Sequence, residues 1–307
     1  MDFQGFAGEA VRIVEVGPRD GLQNEATPIP TAAKRAFVEG LVAAGLREIE
    51  VSSFVHPKAV PQLADSGELF AALGTAPEGV RYSALVPNMR GLERAVAAGV
   101  RDIAVFTAAS ETFNQKNIGC GIDESFERFA PVLEKARTEG LRVRGYVSTV
   151  WGCPYEGEVD PAVALGVTER LLEGGCFEVS LGDTIGVATP DKVHAVLSGT
   201  ILPATGAGPI ALHFHDTRGT ALANCLVGLE LGVRAFDSSA GGLGGCPYAP
   251  GAAGNLATED LVYLLQGLGL DCGVELAALA KASLALEEVL GRSLPGRTVQ
   301  TFKGRCD

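Results

Sequence analysis

Two of the chain's four histidines, His213 and His215, stand two residues apart beside Asp216, at the end of the apolar run Pro209, Ile210, Ala211, Leu212. That run reads as a short buried strand, and on a strand residues i and i+2 point to one face. Two neutral imidazoles side by side at a strand end suit a divalent cation whose other positions are filled by oxygen. Taken alone, the segment would also fit a hydrogen-bonded histidine pair with no metal, the less favoured of the two readings. Polar groups recur at similar places along the chain. Gly17, Pro18, Arg19, Asp20, Gly21, Leu22, Gln23, Asn24 and Glu25 follow an apolar run, as do Glu50, Ser52 and Ser53. Ser180, Gly182, Asp183 and Thr184 follow another, and Asp237, Ser238 and Ser239 a further one. An Arg beside an Asp is often only a surface ion pair. Set directly after an apolar strand, between turn-forming Gly and Pro, the pair favours a site.

These residues need elements to hold them, and short β-branched runs alternate with helical patterns throughout. Strands are expected over 11–16, 48–52, 81–86, 102–106, 142–147, 177–181, 210–214 and 234–237. Between them, 31–44, 62–73, 92–98, 124–138, 161–173, 190–197 and 221–231 carry apolar residues at helical spacing. Gly45, Gly99, Gly140, Gly174 and Gly232 each follow such a segment, as a left-handed C-terminal cap would. Eight βα units in this length predict an α/β fold, a (β/α)8 TIM barrel, over an open doubly wound sheet. No linker divides the chain, so one catalytic domain is expected over 1–307: a barrel over about 11–270 and a C-terminal helical extension over about 271–307. Within that extension, 275–290 reads as an amphipathic helix and 297–307 as a polar tail. Barrel enzymes place their chemistry at the C-terminal ends of strands, where the polar clusters fall.

Composition narrows the classes. Hydrophobic residues make up 47% and aromatics 6%, which predicts a folded interior built from Val, Leu, Ile and Ala. A net charge of −12 argues against a nucleic-acid surface but not against an anionic small molecule held by local arginines or helix N-termini. The seven cysteines include no C-x-x-C pair, so zinc-ribbon and thioredoxin-like sites are unsupported, and their scatter fits a reducing compartment. No basic leader with an apolar core opens the chain, and no long uncharged apolar window occurs. A cytoplasmic location away from membranes is expected.

The run Gly241, Gly242, Leu243, Gly244, Gly245, Cys246, Pro247, Tyr248, Ala249 matches neither phosphate-loop pattern. It reads as a loop that closes over a ligand, with Cys246 accessible near its tip. Cys120, Cys176, Cys225 and Cys272 fit the ordinary expectation of buried, inert thiols. Asn255 precedes a helix expected to start near Thr258, with Glu259 and Asp260 in its first turn.

On the stretches 16–25, 180–190 and 241–260 and the His-x-His pair, the chain resembles the 3-hydroxy-3-methylglutaryl-CoA lyases. These form a branch of a superfamily of metal-dependent barrels that also holds isopropylmalate, homocitrate and citramalate synthases. The likeness runs from about Val11 to Leu290, and the loop through Cys246 is specific to the lyase branch. Ala240, Gly241 and Gly242 depart slightly from the family's small-residue run, with no chemical group affected. The resemblance implies Asp20, His213, His215 and Asn255 as ligands of Mg2+ or Mn2+, a mixed N/O set that those cations suit. It implies Arg19 against the substrate carbonyl, Asp183 and Glu50 in the acid/base network, and Cys246 as proton donor from its loop. Asp183 and His213 are both left as candidates for the initial base, with Asp183 preferred because a metal-bound imidazole has little free basicity. Gln23, Ser53, Asn117 and Tyr146 are lesser candidates for substrate contact. No basic cluster stands out for the CoA phosphates, which leaves Lys58, Arg90 and Lys116 on nearby loops. The implied reaction is retro-Claisen cleavage of 3-hydroxy-3-methylglutaryl-CoA to acetyl-CoA and acetoacetate, as in leucine degradation and ketone-body formation. The implied partners are an acyl-CoA substrate and a second copy in a homodimer, with no nucleic acid or membrane. A lyase for a longer-branched analogue, a condensing synthase, and a non-catalytic metal-binding barrel are the alternatives.

Overall fold

The computed structural model describes residues 6–245 and 254–304. Eight strands close in sequence order into one barrel, every neighbouring pair parallel. They are β1 Arg12–Glu15, β2 Glu48–Ser53, β3 Arg81–Leu85, β4 Asp102–Ala108, β5 Arg142–Ser148, β6 Glu178–Asp183, β7 Ile210–Phe214 and β8 Ala235–Ser238. All eight expected strands are present, within a few residues of their expected ends. Around them lie α1 Thr31–Ala43, α2 Ser66–Leu73, α3 Met89–Ala97, α4 Glu111–Ile118, α5 Ile122–Glu139 and α6 Pro161–Glu173. α7 Pro190–Val196 runs through one wide turn, Leu197–Ile201, into α8 Leu202–Thr205; α9 Ala221–Glu230 and α10 Thr258–Gly267 follow. α11 Leu276–Leu290 packs across α1 and α10, and the short α12 Arg297–Gln300 returns to α10.

Local chemistry explains the helix starts. Asn88, Ser110 and Asp160 accept bonds from Gly91, Phe113 and Ala162 amides at the starts of α3, α4 and α6, and Glu275 does the same for α11. Among the described residues, α4 is the one helix of eight residues or more that the apolar pattern does not anticipate; Ser110 caps it, but its polar face hides the periodicity. Gly45, Gly99, Gly140 and Gly232 take positive φ as expected, whereas Gly174 is right-handed and the left-handed residue is Gly175. The tail expected to be merely polar is docked instead. Amides of Arg297 and Thr298 donate to Asp260 at 3.2 and 2.6 Å, and Val299 is buried.

The aliphatic core lies between barrel and helices, and the barrel lumen differs from it. Where barrels of this class usually stack Val, Ile and Leu, this one carries a ladder of ions. Arg12 pairs with Glu48 and Glu178, Arg144 with Glu178 and Asp237, and Asp237 with His213. A β-bulge between Glu50 and Ser52 shifts the β2–β3 register near the upper rim.

Candidate functional site

The C-terminal rim of the barrel opens into a cavity of about 530 Å3. Arg19, Asp20 and Gln23 enter it from the turn after β1, Tyr146 and Ser148 from β5, Ser180 and Gly182 from β6, and His213 and His215 from β7. Gly244 and Asn255 close the remaining side after β8. Strand parity selects these residues: 180 and 182, and likewise 213 and 215, share one face.

Asp20, His213 and His215 bring ligand atoms within 4.8 Å of one another. Asn255 joins them, its Nδ2 donating to Asp20 Oδ2 at 2.9 Å and to the Leu243 carbonyl at 3.0 Å. Two of the cluster's buried atoms, Asn255 Oδ1 and His215 Nδ1, have no hydrogen-bond partner. Buried polar atoms without partners are uncommon in folded proteins, and an amide and an imidazole that line one pocket with a carboxylate are a donor set for a divalent cation. The residues therefore fit the divalent cation that the sequence resemblance implies. Gly244 is needed for this approach, since φ is +94° and a Cβ would stand 2.6 Å from Asn255 Nδ2.

Charge is arranged to match. Burial opposes ionisation of Asp20, but the Arg19 guanidinium and the imidazoles outweigh it and hold the carboxyl below its ordinary value. Burial, and then the adjacent His213, push His215 down to about 3, so its ring is neutral near pH 7. For His213, burial is overcome by the hydrogen bond and charge of Asp237, which raise it. Arg19 is buried, donates to Asp20 Oδ1 at 2.6 Å and to Glu50, and lies over the Tyr146 ring. Tyr146 in turn donates to Glu50 Oε2 at 2.8 Å. Glu50 is thus the anchor of Arg19 and Tyr146 and does not itself line the cavity.

Of the other expected contacts, Gln23, Asn117 and Tyr146 line the cavity, and Ser53 does not. The Ser53 hydroxyl donates to the Leu85 carbonyl at 3.3 Å. Asp183 also stays outside. It follows Gly182 and so faces away from the lumen, where its oxygens accept from the Val187 and Ala188 amides at 2.9 and 3.0 Å. Burial raises it to about 6. Lys58, Arg90 and Lys116 do not line the cavity, and Lys116 lies over the Tyr155 ring. Cys246 lies outside the described residues, as do Pro247, Tyr248 and Ala249. Cys120, Cys176 and Cys225 are buried as expected, while Cys272 is partly exposed.

Beneath the rim are groups that sequence reasoning missed. Glu15 accepts from the amides of Gly17 and Ala240 at 2.7 and 2.9 Å and from Thr258 Oγ1 at 2.6 Å. Glu259 accepts from the Gly241 amide at 2.8 Å and from Ser283. Burial pushes both carboxyls up to about 7. Asp237 belongs to a polar cluster visible in the sequence, but its buried partner Arg144 does not, and the two meet only in the lumen.

A family model described as HMGL-like matches residues 10–285, and the chain belongs to that family. It is 53% identical over 296 residues to a Pseudomonas aeruginosa lyase named for both 3-hydroxy-3-isohexenylglutaryl-CoA and hydroxymethylglutaryl-CoA, covering 96% of this chain and 98% of the relative. It is 52% identical over 298 residues to the mitochondrial hydroxymethylglutaryl-CoA lyase of Bos taurus, covering 96% and 90%. The crystal structure of the Pseudomonas aeruginosa hydroxymethylglutaryl-CoA lyase superimposes with a TM-score of 0.94 at 51% identity, covering 98% of this chain and 99% of that one.

Proposed function

We propose that the protein cleaves 3-hydroxy-3-methylglutaryl-CoA to acetyl-CoA and acetoacetate, with a divalent cation held by Asp20, His213, His215 and Asn255. The observation that carries the reading is the convergence, in one rim cavity, of that ligand cluster with its two unpartnered polar atoms and the buried Arg19. Relatives of nearly equal length that bear this activity in their names support it. When bound, Mg2+ or Mn2+ would act as Lewis acid and template for the substrate's oxygens.

The chain's own residues supply the rest. Loss of the tertiary hydroxyl proton lets the adjacent C–C bond break, forming the ketone of acetoacetate and the enolate of acetyl-CoA. Arg19, fixed by Glu50 and Asp20, presents a buried positive charge where the thioester oxygen becomes negative. Of the two candidate bases, a His213 that held the cation through one nitrogen and donated from the other would have no lone pair for the proton. The role stays with Asp183, which does not line the cavity and would act through a relay. The enolate carbon then takes a proton, and Cys246 is the assigned donor, since a thiol with a reference pKa of about 8.5 is mostly protonated at neutral pH. The free cysteines Cys120, Cys153, Cys176, Cys225 and Cys272 are compatible with a reducing compartment, of which the cytoplasm proposed here is one. Among the described residues no helix is long and apolar enough to cross a membrane.

A second substrate reading has its own support. The cavity's wall includes Val55, Leu85, Phe106, Phe113 and Ile118, and one relative is named for a longer-branched substrate as well. Purified protein with Mg2+ should release acetyl-CoA and acetoacetate in equal amounts from the methyl substrate. Turnover restricted to longer-branched acyl-CoAs would select the second reading, and no turnover of either would reject both.

A further inference from the structure

The ion ladder in the lumen ends on a proposed metal ligand, and its last link is specific. Asp237 and His213 are register partners on β8 and β7. Asp237, 1% exposed, faces four donors. Its Oδ1 accepts from Arg144 Nη2 at 2.7 Å. Its Oδ2 accepts from Arg144 Nη1 at 3.1 Å, Ser180 Oγ at 2.7 Å and His213 Nδ1 at 3.3 Å. Arg144 cannot swing away, because its Nε donates to Glu178 Oε1 at 2.8 Å and Glu178 is also held by Arg12. A carboxylate bound by a guanidinium fork has only lone pairs to offer, so the proton between it and the ring belongs to Nδ1. That leaves the Nε2 lone pair as the one nitrogen of His213 able to bind a cation.

We propose that Asp237, clamped by Arg144, is a positioning residue that fixes the tautomer and ring orientation of His213 for the divalent cation. The proposal rests on the reading of His213 as a ligand. Partners of this kind change metal affinity about 10–100-fold when lost. Replacement by Asn breaks the clamp: the guanidinium fork contacts both carboxylate oxygens, so an amide NH2 on either side faces an Arg144 N–H. The ring of His213 then loses the charged, fixed acceptor that holds its proton on Nδ1 and its Nε2 toward the cation.

The test measures Mn2+ dissociation constants by electron paramagnetic resonance for the parent, Asp237→Asn, His213→Ala and the double variant. Asp237→Asn should weaken Mn2+ binding at least tenfold, His213→Ala should weaken it too, and the double variant should be no weaker than His213→Ala alone. Glu178→Gln breaks the same ladder one link further from the site, and should lower the melting temperature while leaving Mn2+ affinity within twofold. Nitrogen NMR of the Mg2+-loaded parent at pH 8.5 should show His213 protonated at Nδ1. Unchanged affinity in Asp237→Asn, with His213→Ala weakened, overturns the positioning role and leaves the metal centre standing. Unchanged affinity in His213→Ala overturns both. Equal weakening by Glu178→Gln reduces Asp237 to general structural support and overturns the proposal. If Asp237→Asn does not fold, the parent's spectrum decides, and a proton on Nε2 rejects the assignment.

Discussion

Arg19 is buried beside two carboxylates, and a charge so placed acts without the reorganisation that water would need. Its replacement by Met should lower kcat about 10²–10³-fold with little change in KM, because enolate charge develops only as the bond breaks. Steady-state rates at saturating Mn2+ check this, since Asp20 loses a partner in the same variant; a kcat within threefold of the parent returns Arg19 to structural ion pairing. The residues carrying this chemistry were visible as types: a His pair, an Arg-Asp pair and an Asn in otherwise apolar or glycine-rich surroundings. What each side chain faces was less visible. The period-2 rule that places His213 beside His215 also sends Asp183 outward, and applying it from Ser180 would have shown this. Ser53 stands three residues after Glu50 with a bulge between them, so parity alone does not place it. Asp237 and Arg144 meet across 93 residues of sequence, a pairing that no local pattern announces.

At the scale of elements, the loop 239–244 stands on carboxyls that come from its neighbours: Glu15 from β1 and Glu259 from α10. Burial raises both to about 7 from an ordinary 4.5. Each contributes stability that is complete below pH 4.5 and is lost as pH rises through 7, since folding must then bury a charge. For Glu15 the loss is on the order of 3 kcal/mol. Glu15→Gln keeps an acceptor for the two amides and turns its NH2 toward Thr258 Oγ1, so it should fold. Urea midpoints between pH 4.5 and 7.5 should fall less steeply in the variant than in the parent; parallel slopes would show that Glu15 is not the titrating group. The strands were legible because β-branched runs stop at Gly and polar clusters. The carboxyl props were not, because Glu15 reads as the end of a strand and Glu259 as a helix-start acid until their partners are known.

For the whole molecule, the proposed ligands come from the turn after β1, the end of β7 and the residue after it, and the connection after β8, so one cation would tie the two ends of the sheet together across the β8–β1 seam. A ligand that binds only the folded state stabilises it, by about 2.7 kcal/mol at a hundred times Kd. Chelation should therefore abolish turnover and lower the melting temperature, and added Mg2+ or Mn2+ should restore both. Calorimetry and rates on protein verified metal-free by elemental analysis check the pair, and full turnover without metal would remove the cation from the reaction.

The bond between Asn255 and Asp20 spans 235 residues. During synthesis, a growing chain that has not yet emerged through residue 255 holds a carboxylate and two imidazoles without the amide that joins their cluster. A cation that needed all four proposed ligands would then be captured late, after the barrel's last strand has found its first. A chain interrupted before that point would compete poorly for the cell's cations, and acquisition of the metal would itself report that the circle has been closed.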